Sequence, residues 1–114
     1  MLTLTQIEEA RARIAGRLHR TPLVSSRSAG EMPGCRVSLK LECLQKTGSF
    51  KPRGAFNKLL SLTAEERSRG VVAVSGGNHA QGLAFAAKEL GCRATICMPK
   101  STPANYLDAT RGYG

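Results

Sequence analysis

Thr47-Gly48-Ser49-Phe50-Lys51-Pro52-Arg53-Gly54-Ala55 sets a single lysine between an aromatic ring and a proline. A side-chain amine can form a Schiff base with an aldehyde or ketone once its pKa is low enough to leave it partly neutral. Phe50 offers an apolar wall beside Lys51, and Arg53 a nearby positive charge that disfavours the ammonium form. The plainer reading is a solvated lysine at the start of a surface helix. The nine residues alone leave both readings open.

Working outward, Val37, Leu39 and Leu41 alternate with Ser38, Lys40 and Glu42, the pattern of a half-buried strand. After the lysine, Pro52 suits the first turn of a helix, and Phe56, Leu59 and Leu60 give that helix an apolar face. Further on, Val71-Val72-Ala73-Val74 is a continuous apolar run that predicts a buried parallel strand. A helix is expected from His79 to Leu90, closed by Gly91. Between them lies Ser75-Gly76-Gly77-Asn78. Glycines at a strand-to-helix turn let the backbone approach an anion, and the free amides of a helix start favour negative charge. Alone, such a pair of glycines is often only a tight turn.

The longer string does more. Lys40-Leu41-Glu42, Gln45 and Thr47 to Ala55, followed by Ser75-Gly76-Gly77-Asn78-His79-Ala80-Gln81-Gly82, resemble the two N-terminal motifs of the fold-type II pyridoxal-phosphate enzymes. The branch most like it is that of the threonine/serine dehydratases and serine racemase. The resemblance runs from Ile7 to Gly114. It implies an α/β fold, a parallel sheet with flanking helices like that of the tryptophan synthase β-chain. It implies pyridoxal 5'-phosphate as cofactor, carried by Lys51 and packed on by Phe50. It implies that Asn78 hydrogen-bonds the cofactor's ring oxygen. Ser75, Gly76, Gly77, Asn78 and, more loosely, His79 and Gln81 would take the substrate carboxylate.

The implied reaction is ammonia release from L-threonine or L-serine, leaving a 2-oxo acid, in amino-acid metabolism such as isoleucine biosynthesis. Alternatives are a serine racemase-like enzyme and a non-catalytic remnant. Racemisation requires a second acid, which in serine racemase is a serine at the place of Gly76; glycine has no proton to give. The family's glycine-rich phosphate loop and its partner for the pyridine nitrogen lie further along than Gly114. Tyr106 stands where relatives commonly have lysine. The expectation is therefore an N-terminal portion of a longer, homo-oligomeric enzyme, inactive by itself. Residues 1–70 would begin the large lysine-bearing domain and residues 71–114 form most of the small one.

The chain's 114 residues are the size of one small domain. A 41% hydrophobic content allows a core, and 4% aromatics make that core aliphatic. Seventeen basic and eight acidic residues give a net charge of +9, which raises nucleic acid as a partner. The basic residues are scattered and aromatics for base stacking are few, so no nucleic-acid role is expected. Cys35, Cys43, Cys92 and Cys97 follow no zinc spacing, so free thiols and no metal are expected. Neither a signal peptide nor a membrane span is read, which points to the cytoplasm and no membrane partner.

Elsewhere, Thr5 and Glu8 suggest a capping box for a helix from Gln6 to Leu18, with Arg11, Arg13 and Arg17 solvated and His19 as C-terminal cap. Thr21-Pro22 begins an extended segment, and Ser25 to Gly34 reads as loop. Thr63 and Glu66 form a second capping box, for a helix ending near Gly70. A strand follows from Arg93 to Met98, then a helix capped by Thr102 that runs to about Arg111. The strand–helix–strand order after Gly70 predicts parallel pairing.

Overall fold

The computed structural model describes residues 1–31 and 34–114. Its elements run α1 (Leu4–Arg13), β1 (Leu23–Ser26), α2 (Arg27–Glu31), β2 (Val37–Lys40), α3 (Lys51–Ser61), α4 (Ala64–Arg69), β3 (Val71–Val74), α5 (Asn78–Glu89), β4 (Ala94–Cys97) and α6 (Ala104–Arg111). A short 3-10 turn spans Glu42–Leu44.

Apolar periodicity decides the core. On α3, Pro52, Ala55, Phe56 and Leu59 are buried; on α5, Ala80, Leu83, Ala84, Ala86 and Ala87 are. The two helices pack together, Phe56 and Leu59 filling the space left by the small residues of α5. Each such large apolar side chain contributes about 1.5–3 kcal/mol on burial. Phe56 meets Phe85 edge to face at 5.7 Å, and Phe85 meets Tyr113 at 5.5 Å, which ties the residues after α6 to α5.

β3 and β4 pair in parallel, Val71 opposite Ala94 and Val74 opposite Cys97, joined through α5 as the element order predicts. The burial differs from the expectation. Val71 and Ala73 face the helices, whereas Val72 and Val74 are 74% and 75% exposed. Among the described residues, helices cover one face of this pair, so a run that reads as doubly buried is here covered on one side. β1 and β2 form a separate antiparallel pair, Leu23 opposite Lys40. Leu39 on β2 is exposed rather than half-buried.

Several local readings are corrected. The α1 cap is Thr3, whose hydroxyl accepts from the Gln6 amide while Gln6 Oε1 accepts from the Thr3 amide. α1 ends at Arg13, and Gly16 then takes a positive φ of 74° that no helix continues through. Arg13 is not merely solvated: it donates to Asn57 Oδ1 on α3. Ser25 and Ser26 lie in β1, and residues 27–31 are helical, where loop was expected; the same expectation at Met32 and Pro33 falls outside the described residues. The Thr63 capping box forms as read, and Gly70 ends α4 at a φ of 83°.

His19 caps no helix. Its amide donates to Gln45 Oε1 at 3.0 Å, and its carbonyl accepts from Gln45 Nε2 at 3.0 Å and Arg53 Nη2 at 3.2 Å. It belongs to a polar brace. Arg53 grips Glu42 with two bonds of 2.7 Å, Thr21 donates to Glu42, and Lys40 donates to the Thr21 carbonyl. Thr21 and Gln45 are buried, so each hydrogen bond avoids a desolvation cost as well as making a contact. The brace pins the entry to β1, the turn after β2 and the first turn of α3.

The Arg53 fork is the main cause that lowers the Glu42 carboxyl to about 2; burial opposes it, and Thr21 and the Lys40 charge assist. A depressed pKa stabilises the fold above the unfolded value and loses that stability as pH falls towards the folded value. Glu42 is 16% exposed and Arg53 33%, so solvent screening leaves roughly 2 kcal/mol. Glu42→Gln should therefore lower unfolding free energy by about that amount near neutral pH. The gap to the unsubstituted chain should close between about pH 5 and pH 2, as read by urea denaturation across pH. A gap that stays constant down to low pH contradicts the assignment.

Candidate active site

Lys51 is the first residue of α3, with Phe50 at the N-cap and Pro52 in the first turn. Proline suits this position because its missing amide would have no partner there. Lys51 Nζ lies 5.0 Å from the centre of the Phe50 ring, which is 58% exposed. α5 reaches this point through Gly82. A Cβ there would stand 3.0 Å from Lys51 C, Lys51 Cβ and Pro52 N. The absent side chain lets α5 touch the backbone that carries the lysine.

A cleft of about 370 Å³ opens beside it, lined by Phe50, Lys51, Lys58, Val72, His79 and Leu83, among others. The chain thus brings together the motif lysine, its aromatic neighbour and the histidine of the second motif. Val72 and Leu83 make one wall apolar. The sequence reading missed Lys58 and these wall residues, because nothing local to them signals a site. Gly82 carried a signal, a glycine inside a helical pattern.

The second motif is built as a turn that caps its own helix. The Ser75 amide donates to the Cys97 carbonyl at 3.0 Å, extending the β3–β4 pairing by one bond. Ser75 Oγ accepts from the amides of Gly77 and Ala80, both at 3.3 Å. Gly77 is the N-cap of α5, and its carbonyl accepts from Ala80 at 3.0 Å. The first helix amides, of Asn78 and His79, have no intrahelical acceptor and point their dipoles outward. Asn78 is exposed and does not line the cleft; Gln81 is half-buried. Gly76 packs against Thr102.

Arg53 does not serve as the expected charge beside Lys51. Its Nε and Nη2 both donate to Glu42, and Nη2 also donates to the His19 carbonyl, so its charge is paired with that carboxylate. The same Glu42 contact holds its pKa above the usual arginine value.

The donor set fits a carbonyl-bearing anion: a primary amine for the carbonyl, an exposed aromatic face, and an open helix start for negative charge. Comparison with known proteins gives the same direction. Residues 14–114 match the family described as pyridoxal-phosphate dependent enzyme. The L-threonine ammonia-lyase of Thermotoga maritima is 51% identical over the whole chain, which spans 28% of that protein. The catabolic L-threonine dehydratase of Staphylococcus aureus is 49% identical over the whole chain, which spans 33% of it. The serine racemase structure from Dictyostelium discoideum is 43% identical, covers 99% of the chain with a TM-score of 0.90, and is itself covered for 37% of its length. The chain thus spans about a third of the length of the relatives it matches.

The fold is that of the fold-type II α/β enzymes that work with pyridoxal phosphate. The chain belongs to the pyridoxal-phosphate dependent enzyme family.

The Gly82 contact yields a paired test. Gly82→Ala crowds the backbone at the start of α3 by a few tenths of an ångström and should cost about 1–3 kcal/mol, as overpacking does. Gly54→Ala, on α3 with nothing within 4 Å of an added Cβ, should stabilise by about 0.5–1 kcal/mol through helix propensity. Urea midpoints of the two variants should move in opposite directions.

Proposed function

We propose that the protein containing this chain is an ammonia-lyase for L-threonine or L-serine and that Lys51 is its cofactor lysine. The observation that carries the reading is the meeting of Lys51, Phe50 and His79 at one cleft beside a helix start, in a chain half identical to a threonine ammonia-lyase. Phe50 would pack on the cofactor ring and Asn78 would hydrogen-bond its ring oxygen. Ser75, Gly76, Gly77, Asn78 and His79 would receive the substrate carboxylate on the amides at the start of α5. We further propose that residues 1–70 begin a large domain and residues 71–114 most of a small one, with the α3–α5 contact shared between them.

When bound, pyridoxal phosphate supplies the electron sink for negative charge at the substrate α-carbon. The Lys51 amine takes the α-proton. The electron pair of that C–H bond becomes a carbon–carbon double bond as the β-hydroxyl leaves as water with the proton that Lys51 gives up. The enamine product then tautomerises to an imine. Water adds to its C=N bond and ammonia departs, leaving 2-oxobutanoate from threonine or pyruvate from serine.

Racemisation is the second reading, favoured by the likeness to the serine racemase structure. Inverting the α-carbon needs a second proton carrier on the opposite face, and Gly76 has no side chain to supply one. Elimination has no such need, which supports the lyase reading.

Two measurements check the proposal. In a protein extended to the relatives' length, borohydride reduction of the holoenzyme should fix the pyridoxyl label on Lys51; a label on another lysine removes the assignment. With L-serine in deuterated solvent, pyruvate should form far faster than D-serine. Equal rates would overturn the choice of elimination.

A further inference from the structure

Gly76 is the second residue of the Ser75–His79 turn. A Cβ at this position would lie 2.7 Å from Thr102 Oγ1, 3.4 Å from Pro99 Cδ and 3.6 Å from Thr102 Cγ2. Real Cβ atoms do not approach that closely, so something must move. Thr102 sits between β4 and α6, one residue before the Pro103 N-cap, and does not cap α6 as the sequence suggested. Its amide donates to the Pro99 carbonyl at 3.0 Å, which holds the backbone in place. Its hydroxyl oxygen is buried and, among the described residues, has no hydrogen-bond partner.

These are two independent oddities at one contact. A desolvated hydroxyl without a partner is destabilising, so stability alone would favour valine or alanine at residue 102. A glycine at position 76 has no positive φ to require it. The two meet at one point: the threonine hydroxyl occupies the volume that a side chain at residue 76 would fill.

We propose that Thr102 is a positioning residue that decides by packing what position 76 of the turn can carry. With threonine at 102, the turn stays bare and presents backbone alone. With a smaller residue there, position 76 can accept a side chain. Retreat of the threonine is limited. A β-branched side chain has few rotamers, its methyl already lies near the same point, and the Pro99 ring closes another side. The consequence for chemistry rests on the ammonia-lyase reading, in which a bare position 76 carries no acid. Installing a serine at 76 would then require a change at 102.

The test is a double-mutant cycle on this chain, with folding constants from urea denaturation for the unsubstituted chain, Gly76→Ser, Thr102→Ala and the double variant. Gly76→Ser alone should lower the folding constant about tenfold or more. The double variant should recover most of that loss. Thr102→Val, which keeps the shape and removes the unpaired hydroxyl, should raise the constant. If Gly76→Ser does not fold but the double variant does, the rescue is shown directly. Additive effects, a double variant worse than Gly76→Ser, or a destabilising Thr102→Val would each overturn the proposal. The cycle reads packing alone. A label away from Lys51 would therefore remove the lyase reading and leave the Gly76–Thr102 coupling standing, and lost coupling would leave the lyase reading intact.

Discussion

The contact of α3 with α5 at Gly82 is the constraint from which the rest of the molecule follows. Atoms of Lys51 and Pro52 lie 3.0 Å from where a Cβ on Gly82 of α5 would stand. This approach buries Phe56 and Leu59 against a row of alanines and fixes the distance between the two motif-bearing helices. A larger residue on that face of α5 would separate the lysine from the turn that precedes α5. Glycine in a helix interior costs about 0.5–1 kcal/mol relative to alanine, and the burial it permits offsets this.

Around that contact, the chain uses polar groups to place what the small core does not reach. The brace of His19, Thr21, Glu42, Gln45 and Arg53 joins segments far apart in sequence. It acts through Arg53 on the same first turn of α3 that carries Lys51. The turn that carries Lys51 is thus held both by helix packing and by a charge-assisted network at Arg53. Such double support fits a residue whose placement matters more than its own contribution to stability.

The second motif shows economy of a different kind. Ser75 spends its hydroxyl on the amides of Gly77 and Ala80, so it organises the turn. The outward amides of Asn78 and His79 remain for an anion. Gly76 is kept bare by a neighbour from outside the motif, Thr102. The turn's shape is local, but what may be attached to it is decided across the fold.

The sequence by itself determined the elements whose causes are local. The Thr63–Glu66 box, the glycine stops at Gly70 and Gly91, the apolar face of α3 and the parallel order of β3 and β4 depend on neighbours in the chain. It also singled out Lys51 and the Ser75–His79 turn, because each motif is contiguous. Tertiary structure alone decided what depends on partners distant in sequence. Two capping threonines lie within reach of the α1 start, and only the formed helix shows that Thr3 is used. Arg53 reads as a charge for Lys51 until Glu42 and His19 are brought against it. Val72 and Val74 read as buried, yet burial requires a layer on each face, and a sequence pattern states an apolar side chain without stating what covers it. Thr102 read as the cap of α6, and its contact with position 76, 26 residues away, exists only in the folded chain.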